Sequence, residues 1–231
     1  MKPFQFKNFS ILQEENVFRV GTDAVLLGAL SSVKNAQNVL EVGSGSGIIS
    51  LMIAQRNKNA TILAIDINKK ATQLSALNFK NSLYFNRLSA KNIDFNNFSS
   101  TPKFDLIICN PPYFDVTPQS NKDEIARQKI HLNFSDLIIN AALQLNNNGI
   151  FSVIIPAESE VDFEELALRS SLYLSKKIII LGRENLKPKR LILEFKKEKS
   201  SPEISEFIIE KSPRKFSDQY LEITKDFHIF K

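Results

Sequence analysis

Glu41-Val42-Gly43-Ser44-Gly45-Ser46-Gly47 is the stretch on which the fold is read. It follows a short apolar run, Val39 to Val42, and precedes Ile48 to Gln55, which suits a helix, so the glycines stand at a strand-to-helix turn. Glycines there let the backbone turn sharply and approach a ligand closely. A dinucleotide-binding turn carries its third glycine three residues after the second, where this chain has Ile48. A phosphate-cradling loop needs Gly-Lys-Ser/Thr after the glycines, and none follows.

Outward from that turn, short apolar runs alternate with amphipathic segments, the pattern of repeated β-α units and a mostly parallel sheet in an α/β fold. Seven strands are expected: Val39 to Val42, Thr61 to Ile65, Tyr84 to Leu88, Phe104 to Cys109, Ile150 to Ile155, Lys176 to Leu181 and Leu191 to Phe195. Helices are expected on both faces, at Ile48 to Gln55, at Lys69 to Phe79 behind an Asn68 cap, and at Phe134 to Leu145. Phe134, Leu137, Ile138, Ala141, Ala142 and Leu145 share one face of the last. Nearer the amino terminus, Thr22 is placed to cap a helix from Asp23 to Leu30, and Phe6 to Phe9 and Val17 to Val20 read as extended segments around a polar turn. One domain follows: a flap and helix over 1–38, a core over 39–196, and an extension over 197–231 with one further strand at Phe207 to Ile209.

At 231 residues the chain suits a single enzyme-sized domain. It has no run near the roughly twenty apolar residues of a membrane span and no apolar stretch behind its first charges, so a soluble, cytoplasmic protein is expected. A single cysteine, Cys109, with only His131 and His228 beside it, offers no metal cluster, and no obligate protein partner is evident. The formal charge of +5 is unevenly placed: residues up to Ser175 carry 16 basic and 16 acidic side chains, the last 56 carry 14 and 9. That excess admits a polyanionic partner, although an AT-biased composition rich in Lys, Asn and Ile gives the same excess without one.

Ala64-Ile65-Asp66 ends the second strand with a carboxylate able to accept hydrogen bonds from both hydroxyls of a ribose. With Glu41 before the turn, Gly43, Gly45 and Gly47 within it, and Asp66 followed by Ile67, these residues resemble the first two motifs of class I S-adenosylmethionine-dependent methyltransferases, with a Rossmann-like core. The resemblance implies that Glu41 helps to hold the methionine ammonium and that the glycine turn contacts methionine and ribose. It also asks for an acidic or amide side chain after the third strand against the cofactor adenine. Asn92-Ile93 is the best match and Asp94 a rival; the family's usual Asp makes Asn92 a departure.

Cys109-Asn110-Pro111-Pro112-Tyr113 follows the strand Phe104 to Ile108, at the sheet edge where ligands bind in open α/β folds. Prolines that merely stop a strand explain Pro111 and Pro112 but not Asn110 or Tyr113. Methylating a planar amine means overcoming delocalisation of its lone pair. Asn110 Oδ1 and the Pro111 carbonyl supply two acceptors for its N–H groups, Pro112 stiffens the turn, and Tyr113 offers a face on which a base stacks. Cys109 reads as a buried strand residue rather than a nucleophile.

The Asn-Pro-Pro-Tyr motif occurs in families that methylate adenine, guanine or glutamine amino groups. Release-factor glutamine enzymes carry a helical domain of some seventy residues ahead of the glycine turn, where this chain has forty. Phe4-x-Phe6-Lys7-x-Phe9, Gln13 and Val20 to Gly28 resemble the bacterial tRNA1(Val) adenine-N6 methyltransferase family, as do Ala126-Arg127, Pro188-x-Arg190 and Phe216 to Phe230. That resemblance implies tRNA as partner, S-adenosylmethionine as methyl donor, Thr22 and Asp23 near its methionine end, and phosphate contacts from Arg127, Lys187, Lys189 and Arg190. Protein glutamine methylation on a release factor, N6 methylation of adenine in another RNA, and a non-catalytic nucleic-acid-binding domain are the rival readings.

Overall fold

The computed structural model describes residues 2–15, 17, 20–112 and 134–229. The chain opens with a hairpin of β1 (Phe4–Gln5) and β2 (Ser10–Ile11), then helix α1 (Thr22–Leu30). Strands β3 (Asn38–Val42), β4 (Thr61–Asp66) and β5 (Leu88–Asn92) are joined through helices α2 (Ile48–Arg56) and α3 (Lys69–Lys80), and β6 (Phe104–Cys109) follows. After helix α4 (Phe134–Gln144) come β7 (Leu145–Pro156), helix α5 (Glu160–Arg169), β8 (Tyr173–Arg183), β9 (Arg190–Lys196), β10 (Glu203–Ser212), β11 (Lys215–Phe216) and helix α6 (Asp218–Thr224).

Among the described residues, nine strands build the main sheet in the order β11-β10-β8-β9-β7-β6-β3-β4-β5. From β7 through β5 the pairing is parallel, whereas β9 runs antiparallel to both β7 and β8. The order reverses between β3 and β6. Their carboxyl ends therefore open a crevice at the switch point, which is where a ligand fits between strands whose connections leave on opposite faces.

Two apolar layers cover the sheet. One joins α1 and α2 to alternate residues of β3, β4 and β6, among them Val39, Ile62 and Leu106; the other places α4 and α5 over Leu40, Ile107, Phe151 and Phe195. Alternation along β3 explains both, since Val39 and Leu40 point to opposite faces and each is fully buried. Helix α1 is buried along Ala24 to Ala29, with Gly28 so close to α2 that a β-carbon would lie 2.9 Å from Met52 Sδ.

The expectations for α2, α3, α4, β3, β4 and β6 match within a few residues, and Asn68 caps α3 by accepting from the Lys70 N–H at 2.9 Å. Others differ for identifiable reasons. Tyr84 to Leu88 is a 3-10 turn at Phe85–Arg87, and the strand begins at Leu88; on the sheet's edge β5 buries only Leu88 well, so its apolar signal is faint. Among the described residues the sheet has nine strands rather than seven. Its polar outer strand β10 extends far beyond Phe207 to Ile209, because an edge strand with exposed Glu203, Ile204, Ser205 and Glu206 shows no core-facing pattern.

Gly21, not Thr22, is the N-cap of α1. Phe6 to Phe9 forms the turn between β1 and β2, with the Phe6 N–H bonded to the Phe9 carbonyl at 2.9 Å and the two rings stacked at 4.7 Å. Val17 lies outside any strand. The expected flap is docked: Phe6 and Ile11 are buried, Leu12 is held by Asn78 of α3, and the Lys7 N–H bonds Phe227 O at the far end of the chain.

Arg87 is one of the longer-range ties. Its guanidinium donates to the carbonyls of Ala54, Asn57 and Ala60, satisfying the end of α2 and the turn into β4. Arg87→Ala is expected to lower stability by about 2 kcal/mol, read as a fall in melting midpoint, because charged donors to three carbonyls vanish together. An unchanged midpoint would mean that water replaces the guanidinium without cost. Among the described residues no helix is long and apolar enough to cross a membrane, and no group of three or more His, Cys, Asp or Glu is placed to hold a metal ion.

Candidate functional site

The glycine turn leaves β3 and enters α2 with Gly43, Gly45 and Gly47 at φ of 76°, 51° and 79°. At Gly47 a side chain is excluded outright, since a β-carbon would meet the Phe79 ring at 2.5 Å. At Gly45 a β-carbon would meet nothing within 4 Å, so the turn faces open space and the need is conformational. The Gly43 and Ser44 N–H groups both bond Ile65 O, fastening the turn to the end of β4.

Glu41 is buried beneath this turn. Its Oε2 accepts from the Ser50 hydroxyl and from the Ser50 N–H, while Oε1 is buried without a hydrogen-bond partner. Burial pushes the carboxyl up to about 8; the two bonds from Ser50 oppose the rise and the nearby Asp66 charge adds to it. Ser50 was not foreseen from sequence. The available signal was a lone serine in the apolar run Ile48-Ile49-Ser50-Leu51-Met52.

Asp66 ends β4 and organises the next loop. Its Oδ2 accepts from the Gly45 N–H at 2.9 Å and its Oδ1 from the Asn68 N–H at 2.8 Å, so glycine turn and α3 entrance are tied through one carboxylate. Burial raises its pKa against those two bonds. Ile67, beside it, is 41% exposed, an uncovered apolar side chain next to the carboxylate.

Asn92 donates through Nδ2 to the carbonyls of Asp66 and Ile67, at 2.8 and 2.9 Å, and the Ile93 N–H donates to Asp66 O at 3.1 Å. Two carbonyls demand a donor, which an aspartate cannot supply, and this is a physical reason for Asn at a position where resemblance suggested Asp. Oδ1 remains as an acceptor. Asp94 stabilises its own turn, taking the Asn96 N–H at 2.9 Å and Asn97 Nδ2 at 3.3 Å.

The acceptor motif leaves the adjacent strand. Val42 and Cys109 are register partners, so the next residues, Gly43 and Asn110, depart side by side from β3 and β6. Neighbouring strands lie about 4.8 Å apart, which brings the glycine turn and the motif into one crevice. Asn110 and Pro112 are half-buried and Pro111 is buried; Tyr113 and Arg127 lie outside the described residues. Cys109 is fully buried, and burial, with Glu41 and Asp66 nearby, drives its thiol pKa far upward, leaving no reactive thiolate.

Thr22 begins α1, and Asp23 accepts from Arg190 Nε at 2.9 Å. Asp23 and Arg190 form one ion pair linking α1 to the start of β9. Lys187 and Lys189 are exposed in the turn before it, where the Lys189 carbonyl accepts from the Ala157 N–H.

Residues 8–172 match the family model described as the methyltransferase small domain. A protein of a Flavobacteriaceae bacterium (strain 3519-10) is 49% identical over the whole of both chains, and one from Phocaeicola vulgatus is 38% identical over 98% of this chain and 97% of its own. A Haemophilus influenzae protein is 32% identical over 99% of each. All three are named tRNA1(Val) (adenine(37)-N6)-methyltransferase. Among solved structures, a predicted O-methyltransferase from Agrobacterium tumefaciens aligns with a TM-score of 0.69 at 17% identity, covering 89% of this chain and 96% of its own. The ribosomal protein L11 methylase of Lactobacillus delbrueckii aligns at 0.57 and 19%, covering 79% and 82%. These two likenesses bear on the fold alone.

Proposed function

The chain belongs to the methyltransferase small domain family, and from that premise we propose that it transfers a methyl group from S-adenosylmethionine to the exocyclic N6 of adenine 37, 3' to the anticodon, in tRNA1(Val). The observation that carries the reading is the Val42–Cys109 register, because it sets Asn110 beside the glycine turn at the switch point of the sheet. The full-length likeness to relatives of that name supports adenine over glutamine. The chain reads as one catalytic unit, core 39–196 with segments 1–38 and 197–231 added at its ends. Action on tRNA implies the cytoplasm.

The residues present fit this donor. Glu41 Oε1 is a buried acceptor without a partner, suited to an ammonium group directly or through water. Asp66 retains lone pairs for ribose hydroxyls beyond the two N–H groups it already accepts. Asn92 Oδ1 suits the amino group of the donor's adenine, Ile93 and the exposed Ile67 suit its apolar faces, and Thr22 and Asp23, at the start of α1, are assigned to its methionine end by the family resemblance alone. When bound, S-adenosylmethionine supplies a methyl group on a sulfonium, an electrophile that needs only an aligned lone pair.

Alignment is the task left to the acceptor motif. Asn110 Oδ1 and the Pro111 carbonyl accept the two N–H hydrogens of the target amine, favouring a pyramidal nitrogen whose lone pair is free to attack. Pro112 limits backbone movement, and Tyr113 stacks on the extruded base. Arg127, Lys187, Lys189 and Arg190 contribute phosphate contacts, Arg190 while keeping Asp23 in place.

The test offers labelled methyl donor with either deproteinised tRNA or a release factor, followed by identification of the modified nucleoside or residue. Label in N6-methyladenosine at position 37 is expected. Label confined to glutamine overturns the reading, and donor binding without transfer to either substrate favours a non-catalytic binding domain.

A further inference from the structure

The family match ends at residue 172, so β8 through β11 lie outside it. Two of their turns stand on the sheet edge that carries Gly43 and Asn110. Arg190, first in β9, pairs with Pro156, last in β7, and with Ile180 of β8. Strand β8 continues three residues further, to Arg183, and β10 accompanies it in parallel with Glu210 beside Arg183. At about 3.3 Å per residue, the end of β8 stands roughly 10 Å above the start of β9, and β10, which runs on to Ser212, carries the β10–β11 turn higher still.

Residues 183–190 and 210–215 hold seven basic and two acidic side chains, an excess equal to the whole formal charge of +5. Residues 183–189 are all exposed, as are Lys211, Arg214 and Lys215. Asp23 binds Arg190 and Asp218 lies 3.5 Å from Lys211. Among the described residues, Arg183, Lys187, Lys189, Arg214 and Lys215 make no ion pair. Folding has thus gathered the carboxyl-terminal excess on one edge and left most of it unneutralised.

Four strand steps separate β6 from β10. At about 4.8 Å each they set β10 roughly 19 Å to the side of Asn110, comparable to the width of a nucleic-acid double helix, and through Ile154, Ile192 and Ile178 the β10 residue level with Asn110 is Ser205, so the β10–β11 turn stands well above it. We infer that the β8–β9 and β10–β11 turns form a phosphate-contacting wall for the double-helical stem of the RNA whose loop base reaches Asn110. The inference rests on the reading of tRNA as substrate. A double-stranded RNA is recognised by shape and backbone, whereas a loop base can be splayed into a pocket, so wall and crevice divide the work.

The test compares the parent with Arg183→Gln/Arg214→Gln/Lys215→Gln, and with Lys199→Gln, an exposed lysine beyond the opposite end of β9. For tRNA the triple variant is expected to raise KM at least tenfold, with kcat within twofold and donor affinity unchanged. The slope of log KM against log salt should flatten by about 2 to 3, one lost phosphate contact per residue. On an unstructured oligonucleotide carrying the same adenine, triple variant and parent should agree, and Lys199→Gln should match the parent throughout. An unchanged KM and salt slope on tRNA would overturn the wall alone, and equal losses on both RNAs would overturn its assignment to a stem. If the parent methylates no tRNA, the substrate reading falls and the wall with it.

Discussion

Asn110→Ala is expected to lower kcat for methyl transfer at least a hundredfold while leaving donor affinity within about threefold, the loss typical of removing one preorganised polar contact to a transition state. The side chain stands where β6 ends, next to the turn that leaves β3, and its proposed work begins only as the target nitrogen pyramidalises. An interaction made chiefly in the transition state shows in kcat rather than in ground-state binding. Single-turnover transfer and calorimetric titration with the donor separate the two. A parallel loss of donor affinity would mean that Asn110 serves the cofactor turn instead, and full activity would refute the acceptor mechanism.

What was legible in the sequence followed burial. Val39, Leu40, Ile107 and Ile108 are fully buried, the left-handed φ angles of the turn call for its glycines, and the Asp66 carboxylate at the end of β4 accepts from the Gly45 N–H. Strands at the margins were harder to read. Strand β10 faces solvent along Glu203 to Glu206, and α5 buries chiefly Phe163 and Ala167, a stripe too narrow to stand out in Glu160-Val161-Asp162-Phe163-Glu164-Glu165.

Pairings between distant residues were the other blind spot. Asp23 with Arg190 spans 167 positions, and Asn92 acts through carbonyls of the preceding strand's loop. Residue type announced polarity in each case, but only the fold names the partner. The same holds for the basic excess: composition located it in the last 56 residues, whereas its concentration on the catalytic edge depends on the direction of β8, β9 and β10.

Glu41→Gln is expected to change both stability and donor binding, in opposite directions. The parent carboxyl, ordinarily near 4.5, is raised by burial to about 8 in the folded chain. Between those values the folded protein holds a proton that the unfolded chain has released, so the group's contribution is fully present below pH 4.5 and is lost as pH rises through 8. Linkage puts the total loss at roughly 5 kcal/mol. Glutamine resembles the protonated form at every pH, so the variant's melting midpoint should stay nearly level from pH 5 to 9, apart from other groups, and exceed the parent's at the alkaline end. Donor binding runs the other way. An ammonium beside Oε1 favours the ionised carboxyl, so parent affinity should rise from pH 6.5 to 8.5 with release of a proton, detectable as a buffer-dependent binding enthalpy. The variant should bind at least tenfold more weakly at pH 8.5, without that proton release. Identical melting profiles for the two chains would remove the burial argument, and unchanged affinity would remove Glu41 from the donor site.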